Sequence, residues 1–185
     1  MKLILGLTGQ MASGKGTVAS YAEKKYSAST FRFSTMLRDV LDRLYIEKSR
    51  SNLQKISQVL RENFGEDTLA KVIAKDVENS ESQIVVVDGV RRPDDVKYLK
   101  NIPGFVLVHV HADMQKRYDR IKVRTENTDD KGKTFEEFQE EHKGEAEQKI
   151  DEIAGLATEE IDNNGSIEDL YKLIDVLISK YGDKN

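Results

Sequence analysis

Short apolar runs alternate with longer amphipathic segments along the chain. The unbroken valines at 85–87 are typical of a strand that is buried on both faces. Strands that alternate with helices predict an α/β fold in which a parallel sheet lies between two helical layers. The predicted strands cover residues 3–8, 29–33, 84–89, 105–112 and a weaker run at 157–163.

Between these runs, apolar residues recur every three or four positions, which is the period of a helix. Two examples are the sets Leu53, Ile56, Val59, Leu60 and Leu170, Leu173, Ile174, Leu177. Ligands of such sheets gather at the carboxyl ends of the strands. The predicted helices cover residues 15–25, 35–46, 51–64, 66–79, 92–100, 113–124, 134–153 and 166–181.

The junction between the first strand and the first helix carries the most informative motif. Residues Gly9 to Thr17 read GQMASGKGT, with Gly9 and Gly14 followed by Lys15. The glycines let backbone N–H groups converge, and the lysine and the helix N-terminus add positive charge, so a polyphosphate is the natural occupant. The strict pattern has Ser or Thr directly after the lysine, whereas here Gly16 holds that place and Thr17 follows.

Composition limits the other classes of function. A chain of 185 residues with 34% charged and 38% hydrophobic residues is typical of one soluble domain. It has no apolar run of ~20 residues and begins with a strand, so neither a membrane span nor a signal peptide is expected. The absence of cysteine excludes disulfides and thiolate metal sites, and we expect a cytoplasmic protein.

Charge and histidine placement predict neither nucleic-acid binding nor a metal centre. The net charge of −4 includes thirteen acidic residues and four lysines within 126–160, which we interpret as a solvated helix face. The chain has no dense basic cluster of the kind that nucleic-acid binding requires. His109 and His111 share one face of a predicted strand, but no third ligand is evident, so we interpret them as polar residues at a strand end.

The motifs together resemble those of P-loop nucleoside and deoxynucleoside monophosphate kinases. GQMASGKGT resembles the phosphate loop of adenylate kinases, and the run at 50–67 is most similar to deoxynucleoside monophosphate kinases. EIDNNGSIEDL (160–170) resembles the adenine-side loop of dephospho-coenzyme A kinases. Three further segments resemble the acceptor-side helix start, the Asp-Gly-x-x-Arg or Asp-Gly-x-Arg element and the arginine helix that leads into a lid: FSTMLRDVL (33–41), VVVDGVRRPDD (85–95) and ADMQKRYDRIKVR (112–124).

The resemblance covers nearly the whole chain and implies a fold. It implies a three-layer α/β/α P-loop NTPase fold with a five-stranded parallel sheet and a mobile lid. Residues 1–185 would form a single kinase domain, with an acceptor-binding helical insert at about 34–80 and the lid at about 117–145.

On the donor side, the resemblance implies that Lys15 bridges the β- and γ-phosphates of ATP. The hydroxyl of Thr17 and the carboxylate of Asp88 would hold Mg²⁺. Asp88 could instead accept a proton from the acceptor, or cap the Asp-Gly turn that follows. Ser166 also has the pattern of a helix N-cap, which explains part of its motif without a ligand. The implied nucleotide-binding residues are Gly9, Ala12, Ser13, Gly14, Lys15, Gly16, Thr17, Asn163, Gly165 and Ser166.

On the acceptor side, Arg91 is predicted to bind the acceptor phosphate, with Arg92 as its solvent-facing neighbour. For Arg38 and Arg61, the alternative role is a surface salt bridge. The further acceptor-side candidates are Ser34, Arg38, Arg50 and Arg61, with weaker support for Gln54. Arg117, Arg120 and Arg124 share one helix face, and we expect at least the first two to face a phosphate as catalytic arginines.

Two departures from the family pattern concern the lid and the adenine side. Relatives often carry an Arg-Asp pair where this chain reads FQEEHKGEAEQ (138–148), and Ala-Asp where it has Ala157-Thr158. The predicted function is ATP- and Mg²⁺-dependent phosphoryl transfer to a nucleoside or deoxynucleoside monophosphate, by a monomer or a homodimer. The alternatives are a dephospho-coenzyme A kinase and a nucleotide-binding regulatory module with little or no turnover.

Overall fold

The computed structural model describes residues 2–123, 134–142 and 145–182, and in this part of the chain five strands form one sheet. The strand order is β2-β3-β1-β4-β5, and every neighbouring pair is parallel. This confirms the predicted five-stranded parallel sheet. The strands are β1 (Leu3–Thr8), β2 (Ser29–Arg32), β3 (Ile84–Asp88), β4 (Phe105–His111) and β5 (Glu159–Asp162).

The helices of the described residues follow the predicted ones closely. The helix predicted over 134–153 corresponds to α7 and α8, with residues 143–144 outside the described part. Residues 34–80, the predicted acceptor-binding insert, contain most of α2 together with α3 and α4. The helices are α1 (Lys15–Tyr26), α2 (Phe33–Arg43), α3 (Arg50–Phe64), α4 (Thr68–Asn79), α5 (Pro93–Leu99), α6 (Met114–Val123), α7 (Phe135–His142), α8 (Glu145–Ala154) and α9 (Ile167–Gly182).

Alternate residues of the central strands pack into two separate apolar layers. Leu5 of β1 and Val86 of β3 contact a cluster that contains residues of α1 and α9. Ile4 and Val85, one position earlier, belong to a second cluster with residues of α2, α4, α5 and α8. Because side chains alternate between the two faces of a strand, helices cover both faces of the sheet. The three-layer α/β/α architecture is therefore confirmed.

The strand order places a crevice beside β1. Its neighbours are β3 on one side and β4 on the other, so the connections run in opposite directions from this point. Such a switch point opens a crevice at the carboxyl ends of the strands. The GQMASGKGT loop leaves β1 at this edge, beside the end of β3.

The predicted lid is described in part. The predicted range of about 117–145 contains α7 and the part of α6 from Arg117 onward, whereas residues 124–133, including Arg124 and the polar loop at 127–133, and residues 143–144 lie outside the described residues. Across the described chain, we find no helix with the combined length and apolar character needed to cross a membrane.

Substitution of Gly9 tests how closely the phosphate loop packs against the sheet. Its φ is +143°, and a Cβ atom there would lie 2.1 Å from the carbonyl oxygen of Val110 in β4. We therefore expect Gly9→Ala to lower the free energy of unfolding by about 2 kcal/mol or more, because both the backbone conformation and the contact become strained.

Gly155→Ala is the matched control, because its Cβ would meet its nearest atom, the carbonyl oxygen of Glu152, at 3.4 Å. We expect this variant to stay within ~0.5 kcal/mol of the wild type in urea unfolding. Equal effects of the two substitutions would contradict the close approach at Gly9.

Candidate functional site

The phosphate loop is shaped by glycine at its start and end. Gly14, the N-cap of α1, has φ +110°, a left-handed conformation that glycine adopts without steric cost. A Cβ atom at Gly14 would also lie 2.1 Å from the side-chain nitrogen of Asn163. Ala12 has φ +59° as well. The loop therefore turns back sharply between β1 and α1 and packs directly against the segment that follows β5.

The ammonium group of Lys15 lies within this loop. The side chain is buried, and its Nζ donates to the carbonyl oxygens of Gly9 at 2.5 Å and Gln10 at 2.9 Å. It also approaches the Ser13 hydroxyl at 3.5 Å. The positive charge is thus held at the N-terminal end of α1, where the helix dipole also favours an anion.

Two side chains from distant segments hold the Ser13 carbonyl group. The amide of Asn163, which is buried after β5, donates to the Ser13 oxygen at 2.8 Å. Arg120 of α6 donates to the same oxygen at 3.5 Å and to the carbonyl oxygen of Asn163 at 2.8 Å. Partial burial lowers the pKa of Arg120, although an arginine stays charged. These contacts fix the loop against α6 and the β5–α9 connection.

The side chain of Arg117, which we expected to face a phosphate, is buried outside the cleft. Its side chain is 3% exposed and donates to the carbonyl oxygens of Ala112 at 3.0 Å and Met11 at 3.4 Å. Its guanidinium lies 5.8 Å from the centre of the Phe138 ring of α7. It does not line the cleft described below. Arg117 joins α6 and α7 to the phosphate loop and does not present its charge to the cleft.

The predicted adenine-side residues Gly165 and Ser166 are exposed at the start of α9. The Ser166 hydroxyl donates to the carboxylate of Asp169 at 2.7 Å and accepts from the Asp169 amide at 3.1 Å. These hydrogen bonds hold the pKa of Asp169 below its ordinary value. Ser166 and Asp169 form a capping box, so the structure shows the N-cap interaction, and contact with an adenine stays a prediction.

A cleft of about 1150 Å³ opens beside the phosphate loop. It brings together most of the predicted site, whereas Gly9, Arg117, Asn163, Gly165 and Ser166 do not line it. Arg92, which we expected to face solvent, lines it too. The predicted residues in its wall are Ala12, Ser13, Gly14, Lys15, Gly16, Thr17, Asp88 and Arg120 on the donor side, and Ser34, Arg38, Arg50, Arg61 and Arg91 on the acceptor side.

Arg61 carries a buried positive charge in this wall. It is 9% exposed, and its guanidinium donates to the carbonyl oxygen of Glu66 at 2.9 Å and to the Ser57 hydroxyl at 3.3 Å. Burial and the nearby charge of Arg92 both lower the pKa of Arg61. Two guanidinium groups that repel each other in a cleft favour the binding of an anion between or beside them.

Asp95 lines the cleft as well, and the sequence analysis did not predict it. It is 2% exposed, and its carboxylate accepts from the backbone amides of Arg91 and Arg92, each at 3.0 Å. Burial raises the pKa of Asp95. The carboxylate fixes the turn that carries both arginines. The signal was an acidic residue two positions after Pro93, which is the pattern of a capped helix start.

Arg32 is the second missed residue. It ends β2, and the strand register pairs it with Asp88 at the end of β3. Its Nε donates to the Asp88 carboxylate at 2.8 Å, and Asp88 is buried. Both residues stand last in neighbouring parallel strands, which is the signal that could have found the pair.

The donor groups near the loop are suited to a magnesium ion. Asp88 and Thr17 both line the cleft, and Mg²⁺ prefers oxygen ligands, usually one or two from protein with the rest from phosphates and water. Within the described ranges, no cluster of three His, Cys, Asp or Glu side chains could form a cage by itself. His109 and His111 have ring centres 5.4 Å apart, and His109 faces Glu160 at 3.6 Å.

The contacts of Arg117 lead to a stability prediction. Arg117→Met leaves the carbonyl groups of Met11 and Ala112 without these donors, so we expect a loss of about 2–3 kcal/mol in the free energy of unfolding. Lys122→Met, on the exposed face of the same helix, should change it by less than ~0.5 kcal/mol. Urea unfolding of both variants measures the difference, and an Arg117 variant as stable as the Lys122 variant would contradict the assigned role.

Comparison with known proteins agrees with this geometry. The family model described as "AAA domain" matches residues 5–151. Solved shikimate kinases have the same fold: that of Bacteroides thetaiotaomicron has a TM-score of 0.67 at 14% identity over 96% of this chain and 98% of that chain. That of Aquifex aeolicus has a TM-score of 0.57 at 15% identity over 99% of this chain and 100% of the other. The fold is thus the α/β fold of P-loop kinases.

Two archaeal proteins are similar over nearly their whole length. The UPF0200 protein of Pyrococcus abyssi is 32% identical over 96% of this chain and 96% of its own. The UPF0200 protein of Thermococcus kodakarensis is 30% identical over 96% of this chain and all of its own length. With this identity over nearly the whole length, the chain belongs to the UPF0200 family, and its residues 5–151 match the AAA-domain model.

Proposed function

We propose that this protein transfers the γ-phosphoryl group of ATP, with Mg²⁺, to a nucleoside or deoxynucleoside monophosphate. One observation carries the proposal: residues 11–17 of the phosphate loop and all five predicted acceptor-side residues line a single cleft. Phosphoryl transfer needs the donor and acceptor phosphates in line and close together. A cleft with a phosphate-binding loop and a separate set of arginines supplies both positions.

On the donor side, the protein supplies charge and shape. The backbone N–H groups of the loop and the ammonium group of Lys15 would hold the β- and γ-phosphates. Thr17 and Asp88 would hold Mg²⁺, which neutralises charge on phosphate oxygens when bound. Arg120 lines the same cleft and would stabilise charge on the group being transferred.

On the acceptor side, the arginines favour a phosphate-bearing molecule. Arg61, Arg91 and Arg92 lie in one region of the cleft. Asp95 accepts hydrogen bonds from the backbone amides of Arg91 and Arg92, and the charge of Arg92 is close enough to Arg61 to lower its pKa. A planar guanidinium matches two phosphate oxygens at once. Asp95 fixes the backbone turn that carries Arg91 and Arg92, and the Arg61 guanidinium is held by Ser57 and the Glu66 carbonyl, so part of this region is ordered before binding.

The chemistry of the attacking atom favours a monophosphate acceptor over a hydroxyl acceptor. An oxygen of a nucleotide monophosphate is already ionised, so it can form the new bond to the γ-phosphorus as the bond to ADP breaks, without a general base. A ribose hydroxyl, the acceptor in dephospho-coenzyme A, must lose a proton. Asp88 is the carboxylate that could accept this proton, but one of its oxygens already accepts a charge-assisted hydrogen bond from Arg32. This contact disfavours a role as base.

Lys15→Ala tests the donor site. We expect at least a ~100-fold loss of phosphoryl transfer with an unchanged fold, because the ammonium group acts on the transferred charge. Lys24→Ala is the matched control, since Lys24 is exposed near the other end of the same helix. Unchanged transfer by the Lys15 variant would refute the assignment of the loop.

The assay measures ADP release with ATP, Mg²⁺ and a panel of acceptors. The panel contains the ribo- and deoxyribonucleoside monophosphates, dephospho-coenzyme A and shikimate, the last because the structural neighbours are shikimate kinases. Transfer to a monophosphate supports the proposal, and transfer to another acceptor replaces it. Tight ATP binding without any transfer would identify a regulatory module.

Arg91→Ala tests the acceptor site. We expect KM for the acceptor to rise about 10- to 100-fold while KM for ATP stays within about twofold, because a charge-assisted bidentate contact is lost on one substrate alone. Arg43→Ala, an exposed arginine at the end of α2, is the control. Equal rises in both KM values would contradict a specific acceptor role for Arg91.

A further inference from the structure

The pair of Arg32 and Asp88 stands where a metal ion would be expected to bind. Asp88 is buried at the end of β3, and the guanidinium of Arg32 donates to its Oδ2 atom at 2.8 Å. The strand register aligns the two residues, so the backbone itself brings them together. Arg32 lines the same cleft as Lys15 and Thr17.

Gly16 makes room for this guanidinium. A Cβ atom at residue 16 would lie 3.0 Å from the Nη2 atom of Arg32. The guanidinium therefore lies against the first turn of α1, beside the position where the strict phosphate-loop motif has a Ser or Thr side chain. The missing side chain at residue 16 thus leaves space that the Arg32 guanidinium occupies.

Asp88 differs from the other carboxylates in the wall of the cleft. Glu62, Glu66 and Asp95 belong to the segments that carry the acceptor-side arginines, whereas Asp88 ends the strand next to the phosphate loop. A divalent cation at Asp88 must compete with a guanidinium that already neutralises the carboxylate.

A second, smaller cavity adjoins the ion pair of Arg32 and Asp88. It has a volume of about 190 Å³ and is lined by Arg32 and Asp88 together with Gly16 and Glu23. Glu23 supplies a carboxylate there. Arg32 thus lines this cavity as well as the larger cleft.

We propose that Arg32 is a positioning residue that holds Asp88 and competes with the divalent cation, so that metal binding requires the guanidinium to release the carboxylate. The inference rests on the proposed function for its use in phosphoryl transfer. Metal affinity should then be set by this ion pair as well as by the nucleotide. Arg32 lowers the affinity of the site for metal when no nucleotide is bound.

The experiment measures Mn²⁺ binding by electron paramagnetic resonance, with and without a non-hydrolysable ATP analogue. We expect Arg32→Gln to bind Mn²⁺ about tenfold more tightly than wild type, because a charge-assisted hydrogen bond no longer competes. Arg32→Lys should lie between the two, and Arg43→Gln, which removes an exposed arginine of α2, should match wild type. Thermal unfolding of each variant confirms that it is folded.

A double variant separates a specific role from a general change of charge. In the Asp88→Asn background, Arg32→Gln should give no gain in Mn²⁺ affinity, because the competition acts through Asp88. An unchanged or weaker affinity of Arg32→Gln overturns the inference, as does an equal gain in the Asp88→Asn background. If neither wild type nor variant binds the ATP analogue, the proposed function fails, and the comparison with Mn²⁺ alone still decides the role of Arg32.

Discussion

The phosphate loop keeps its shape because other parts of the chain hold its carbonyl groups. Asn163 and Arg120 donate to the Ser13 oxygen, and Arg117 donates to the Met11 oxygen. A loop that binds an anion must direct its N–H groups toward the ligand, so its carbonyl groups need donors elsewhere. The β5–α9 connection and α6 supply those donors. These two segments thus stabilise the conformation of the phosphate loop.

The same principle applies to the acceptor side of the cleft. The arginines there are positioned by backbone contacts and by a buried carboxylate, as in the hydrogen bonds from Arg61 to the Glu66 carbonyl and from the Arg91 and Arg92 amides to Asp95. Groups that are held in place before a ligand binds lose little entropy when it arrives. Arg61 and Arg92 lie close enough for their charges to repel each other, and a bound anion would relieve that repulsion. The phosphate loop and these arginines thus line one cleft.

Sequence reasoning was most successful where local chemistry dominates. Continuous apolar runs identified β1, β3 and β4, since burial on both faces requires apolar residues throughout, whereas the partly exposed β2 and β5 came from shorter and weaker runs. The glycines and lysine of GQMASGKGT predicted the loop, because few other turns need that combination. It was less successful for Arg117, which lies on the predicted helix but is buried against the loop. Spacing along a helix shows which residues share a face, and says nothing of what that face contacts.

The sequence by itself determined the order of strands and helices along the chain and the position of the phosphate loop at the first strand-to-helix junction. It also determined the residue types available for charge stabilisation. These depend on periodicity, on glycine conformation and on charge, which are properties of short segments. The tertiary structure decided which arginines reach the cleft, which ones support the loop, and that Arg32 is paired with Asp88 across two strands that lie more than fifty residues apart. Such partners depend on strand register and burial, because contacts between distant segments exist only once the sheet has formed.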